Sequence, residues 1–116
     1  MNAVTPEPVR EVISADDRRN YRMSLARAAE RMNAKRYPKL AKERGWEGAV
    51  EMAVRGSALL PRPEVELVRS SGRRVLDEHA LDLMTQAARV TTLPENMKGR
   101  DFSEPMKWVF ELKDDQ

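Results

Sequence analysis

At 116 residues the chain is long enough for one domain with a modest core. With 41% hydrophobic and 34% charged residues and a net charge of +2, it reads as globular and heavily solvated. It has no cysteine, which excludes a disulfide scaffold and a thiolate metal site, and no apolar run approaches the roughly 18 residues that span a bilayer.

Residues 1–15 read as the end of an extended linker. Val4 to Ile13 holds Pro6 and Pro8, with Glu7 and Glu11, and has no apolar period. The start, Met1-Asn2-Ala3-Val4, lacks the regions of a signal peptide, so the chain as written is expected to be soluble and to carry no address. The folded domain is expected over 16–116. Ser14 followed by Asp16 and Asp17 marks a helix start, with a capping hydroxyl and two acids against the positive end of the helix dipole. Tyr21, Leu25, Ala28, Ala29 and Met32 recur at steps of three and four, which predicts a helix over 16–34. This arm is basic. Arg18, Arg19, Arg22, Arg27, Arg31, Lys35, Arg36, Lys39, Lys42 and Arg44 are opposed only by Glu30 and Glu43. Such a pattern is either a solvated helix face or a patch for nucleic acid or phospholipid.

Tyr37 precedes Pro38 and is biased away from helical angles, while Pro38 suits the first position of a second, two-turn helix that Gly45 closes. Tyr37-Pro38 is therefore expected to be a hinge. From Gly48 the period changes to two. Val50, Met52 and Val54 point one way and Glu51, Ala53 and Arg55 the other, as in a half-buried strand. Gly56 to Pro63, with Pro61 and Pro63, is a connection. Val65 and Leu67 belong to a second strand, paired antiparallel with the first. Ser70-Ser71-Gly72 ends it and leads to a helix over 75–88, apolar at Leu76, Ala80, Leu83, Met84 and Ala87, with Asp77, Glu78, Asp82 and Gln86 expected outside. Leu93-Pro94 stops this helix, and Asn96 to Asp101 is a polar turn. Met106, Trp108 and Phe110 alternate with Lys107, Val109 and Glu111 in a third strand ending near Leu112. The expected fold is α+β, order α-α-β-β-α-β: a small three-stranded antiparallel sheet with helices packed on one face.

Catalytic and metal motifs are weak. His79 is the single histidine, with no second ligand at metal spacing. Ser70-Ser71-Gly72 lacks the G-x-S-x-G elbow and a base, and reads as a turn. The five glycines are scattered and form no phosphate loop. Trp108 is expected in the core and Trp46 half-exposed. Met23, Met32, Met52, Met84 and Met106 fall on expected core faces. No metal or cofactor is called for.

The landmarks in order are Tyr37-Pro38, Gly45, Gly48, Ser70-Ser71-Gly72, Leu76-Asp77, Leu93-Pro94-Glu95, Phe102 and Phe110-Glu111-Leu112. This string, over about Tyr21 to Leu112, resembles the C-terminal domain of TonB, the periplasmic energy transducer of Gram-negative bacteria. The loop from Gly56 to Pro63 departs from the aspartate-glycine turn often found there, and its Leu59 and Leu60 are a candidate contact surface. The resemblance implies a periplasmic domain of a protein anchored in the inner membrane with the ExbB–ExbD motor. Its partner is the TonB box, a short N-terminal peptide of outer-membrane receptors, bound by strand addition. The implied site is the last strand, Lys107, Trp108, Val109, Phe110, Glu111 and Leu112, together with Lys35, Arg36, Tyr37 and Pro38. The free edge also leaves a homodimer open. Two rivals differ in class: a TolA-like envelope domain, disfavoured by the absence of cysteine, and a nucleic-acid module using the basic arm, disfavoured by having only Tyr21 and Tyr37 as interleaved aromatics.

Overall fold

A computed structural model of the chain describes residues 12–33 and 37–112. The elements are α1 (Ala15–Asn33), α2 (Lys39–Arg44), β1 (Gly48–Gly56), β2 (Glu64–Arg69), α3 (Arg74–Val90) and β3 (Phe102–Phe110), with a 3-10 turn at Glu95–Met97. This is the expected α-α-β-β-α-β order in an α+β domain. The Pro6–Pro8 segment lies outside the described residues, as do Lys35 and Arg36.

The strands form one antiparallel sheet in the order β2-β1-β3. β1 pairs with β3 along its length, from Gly48 opposite Phe110 to Gly56 opposite Phe102. It pairs with β2 from Arg55 opposite Glu64 to Glu51 opposite Arg69, with a bulge that leaves Val68 without a partner in the register. Val50, Met52 and Val54 of β1 and Phe102, Met106 and Phe110 of β3 share one buried face. α3 packs over β1 and β2, and α1 lies beside α3 and over β3. Their stripes, Leu76, Ala80, Leu83, Met84 and Ala87 on α3 and Tyr21, Leu25, Ala28 and Ala29 on α1, complete the core. The opposite face of the sheet, with Arg55, Glu66, Ser103, Lys107 and Val109, is exposed.

Local signals explain the ends of the elements. Ser14 Oγ accepts the Asp17 N–H at 3.0 Å and caps α1. Gly45, at φ 68°, closes α2, a conformation that costs a glycine little. Pro38 is the residue before α2 rather than its first. The Ser-Ser-Gly turn and Leu76-Asp77 form one lock. Asp77, expected on the outside of α3, is buried instead, because its carboxylate accepts the Ser71 N–H at 2.8 Å, the Ser71 hydroxyl at 2.7 Å and the Ser70 hydroxyl. Burial raises the Asp77 pKa, but these three hydrogen bonds outweigh it and leave the carboxyl below its ordinary value.

Two further features differ from expectation. Met23 is 45% exposed, because it sits two positions, about 200°, from Tyr21 and off the apolar stripe, whereas Met97, in the 3-10 turn, is fully buried. Tyr37 lies between α1 and α2, at the joint expected there. Its ring packs edge-on against Phe110 at 5.6 Å, and its hydroxyl donates to the Trp46 carbonyl. β3 starts at Phe102, four residues before Met106, and ends at Phe110 rather than near Leu112. Its first half breaks the hydrophobic alternation with Glu104, yet that side chain is only 1% exposed. Arg22 from α1 donates to it at 2.6 Å and Arg18 stands 3.6 Å away, so the charge is buried with partners.

Candidate functional site

A three-stranded sheet with β1 in the middle has two outer edges, and they are unequal. β2 has six residues, carries the bulge, follows Pro61 and Pro63, and alternates Glu64 and Glu66. Arg55 and Arg69 pair with Glu66 and Glu51 at 3.1 and 3.6 Å across this side of the sheet. Shortness, a bulge, prolines and charge all discourage further pairing. β3 is a nine-residue strand whose outer side has no strand paired to it among the described residues.

Which β3 groups face outward follows from two observations. Successive residues of an antiparallel strand turn their N–H and C=O groups alternately to either side. Pro105, opposite Ala53, has no N–H, and inside a sheet such a residue keeps its nitrogen on the open side of an edge strand. Leu112 gives the same phase from the far end, where its N–H turns back to donate to Glu47 Oε2 at 2.6 Å. Ser103, Lys107 and Val109 thus turn their main-chain groups to the open edge, and Glu111 continues that phase. Phe102, Glu104, Met106, Trp108 and Phe110 turn theirs to β1.

Side chains follow the same alternation. Lys107 and Val109 are exposed on the open face; Trp108 is half-buried on the helix side, and Phe110 is buried there. Glu111 is exposed and Leu112 half-buried. Aromatic contacts hold this end of β3. Phe110 packs between the rings of Tyr37 at 5.6 Å and His79 at 5.7 Å. The Arg73 guanidinium lies 4.6 Å from the centre of the half-buried Trp46 ring. Burial, and then Glu47, raise the Tyr37 pKa, so its phenol stays a neutral donor. The structure therefore brings Tyr37 and the last strand together, two segments that the resemblance had named separately.

The family comparison decides which frame this edge belongs to. A model of the Gram-negative bacterial TonB protein C-terminal matches residues 33–112. The chain belongs to the TonB C-terminal family. Solved structures agree on the fold. An NMR solution structure of Helicobacter pylori TonB-CTD, residues 179–285 of that protein, matches with a TM-score of 0.67 and 23% identity, covering 90% of this chain and 99% of that one. A second, of residues 194–285, matches with a TM-score of 0.54 and 23% identity, covering 88% of this chain and 100% of that one. No curated protein matches the chain.

Within this TonB-like domain several landmarks serve the fold. Gly48 lies against Ser71, where an added Cβ would meet the Ser71 Cβ at 3.0 Å, and Gly56 lies against Phe102, where it would meet the ring at 2.0 Å. Glu47 and Asp77 were missed as hydrogen-bond supports of the fold. Only the register that sets Gly48 opposite Phe110 brings Glu47 to the end of β3, and no periodicity in the sequence reports it. The Gly56–Pro63 loop leaves Leu59 92% exposed, while the half-buried Leu60 lines a 610 Å³ cleft with Met97 and Phe102 at the opposite end of the sheet. No helix is long and apolar enough to cross a membrane, and no group of three or more His, Asp or Glu is placed to hold a metal, among the described residues.

Proposed function

We propose that this domain is the receptor-gripping end of a TonB-like energy transducer. It binds the TonB box of outer-membrane receptors as an added strand on the open edge of β3. The observation that carries the reading is the long β3 edge, with outward groups at Lys107 and Val109 and in phase at Glu111, on a domain of this family. Main-chain bonds give affinity with little demand on sequence, which suits one gripping domain serving several receptors. Four or five such bonds at roughly 0.5–1.5 kcal/mol net each suit reversible binding near the micromolar range. Trp108, Phe110 and Leu112 orient the edge from its helix side, and Tyr37 with Pro38 fixes its end. By the family likeness, Lys35 and Arg36, which lie outside the described residues, take part in receptor contact.

The domain works in the periplasm. An inner-membrane anchor and the ExbB–ExbD motor supply the pull, and uptake of siderophores or other nutrients is the outcome. The chain catalyses no covalent step and needs no cofactor. The basic arm steers encounter with partners and does not hold nucleic acid. Arg18 and Arg22 are already engaged by the buried Glu104, which reduces the charge free for phosphate. Until a peptide fills it, the β3 edge is also open to a second copy. The test is calorimetric titration of the chain with synthetic TonB-box peptides and with duplex DNA at physiological salt. Saturable peptide binding without DNA binding is expected; DNA binding without peptide binding overturns the proposal.

A further inference from the structure

This inference rests on the docking reading above and concerns how much of the β3 edge an added strand can use. We propose that Pro105 is a register stop: an incoming strand is held from Lys107 toward Glu111 and leaves the edge before Ser103. At the outward positions of β3, Ser103, Lys107 and Val109 each offer an N–H and a C=O, and Glu111 continues the phase. Pro105 offers a C=O and no donor. A strand running past it would present a carbonyl to a pyrrolidine ring, unpaired and crowded by the ring's Cδ. An unmade bond at a pairing edge costs more than a made one contributes. Beyond the proline only Ser103 remains before the strand begins at Phe102, and one residue cannot offset the gap.

The part of the edge that survives is also the part that is built firmly. Phe110 is wedged by Tyr37 and His79, and the Leu112 N–H is tied to Glu47. The occupant is thus a short extended segment of about five residues, matching the positions from Lys107 to Glu111 at about 3.4 Å each. It has no proline where its own N–H or C=O must meet Lys107, Val109 or Glu111. Its side chains alternate between the open face, beside Lys107 and Val109, and the helix side, beside Trp108.

The experiment is amide hydrogen exchange on the full chain with a saturating synthetic TonB-box peptide, extended by about six residues on each side so that length is not limiting. The amides of Lys107, Val109 and Glu111 should slow by about tenfold or more, while Ser103 exchanges at its free rate. In Pro105→Val the donor returns. Protection should then reach position 105 and Ser103, and the peptide should bind about three- to tenfold tighter, the worth of about one added bond. Protection of Ser103 in the unsubstituted chain overturns the stop and leaves the docking reading standing. So does a Pro105→Val protein with unchanged footprint and affinity. If no β3 amide responds to peptide in either protein, the docking reading fails and the stop falls with it.

Discussion

Moving one proline by one residue along β3 should separate binding from folding. Val109 turns its N–H to the open edge and its side chain is 55% exposed. Val109→Pro repeats what the strand already accepts at Pro105, so the fold should lose about 1 kcal/mol or less. The docked strand loses a donated bond worth roughly 0.5–1.5 kcal/mol and keeps an unpaired carbonyl costing roughly 1–3 kcal/mol. Together these weaken binding by about 10- to 2,000-fold, taking a micromolar site toward the edge of detection. Phe110 stands opposite Gly48 with its main-chain groups turned to β1, and its ring is 3% exposed between Tyr37 and His79. Phe110→Pro removes a buried aromatic, about 3–5 kcal/mol, and leaves a Gly48 carbonyl unpaired at about 1–3 kcal/mol. That is most of the roughly 5–10 kcal/mol expected for a domain of this size, so this variant should unfold. Circular dichroism melts and peptide titration on both proteins make the assay. Peptide binding by Val109→Pro within threefold of the parent chain, or a parent-like melt for Phe110→Pro, would refute the assignment of the edge.

The remaining predictions concern the supports of the fold. Asp77, its carboxyl held below the ordinary value of 3.8, stabilises the domain above about pH 4 and loses that contribution as pH falls through its folded pKa; urea unfolding from pH 7 to pH 2 should fall more steeply for the parent than for Asp77→Asn. Burial, and then Glu104, push the Tyr21 phenol up to about 12. Its neutral form is favoured in the fold, so this stabilisation is whole below about pH 10 and is lost between about pH 10 and 12. Tyr21→Phe should escape that alkaline loss, and at neutral pH it should stay within about 1 kcal/mol of the parent, because no described residue hydrogen-bonds the Tyr21 hydroxyl. Gly56→Ala places a Cβ 2.0 Å from the Phe102 ring, and thermal melts should show a loss of about 1–3 kcal/mol.

Periodicity reported the elements whose partners are local. The stripe from Tyr21 to Met32 gave α1 to within a residue or so, and Leu76 to Ala87 gave the body of α3. β1 announced itself at Gly48 because Val50, Met52 and Val54 alternate cleanly over one buried face. The first half of β3 was illegible for a physical reason. Glu104 reads as a surface acid until Arg18 and Arg22 arrive from α1, and Pro105 reads as a strand breaker until its nitrogen is seen to face no partner. The same proline then supplied what the pattern alone left open, the phase of the edge. The Ser70-Ser71-Gly72 turn was legible as a turn. Its Asp77 partner was not, since that bond needs the start of α3 folded back on the turn. The Tyr-Pro step marked the joint between α1 and α2 but not what anchors it, because the ring contact with Phe110 is long-range.

The central claim is strand addition on the Lys107–Glu111 side of β3, and intermolecular nuclear Overhauser effects between a bound TonB-box peptide and the labelled chain measure it most directly. The account predicts close backbone contacts from the peptide to Lys107, Val109 and Glu111, spaced every second residue as in a sheet ladder. Backbone contacts to the Glu64–Arg69 edge instead, or contacts confined to the Leu59–Leu60 loop, would contradict it.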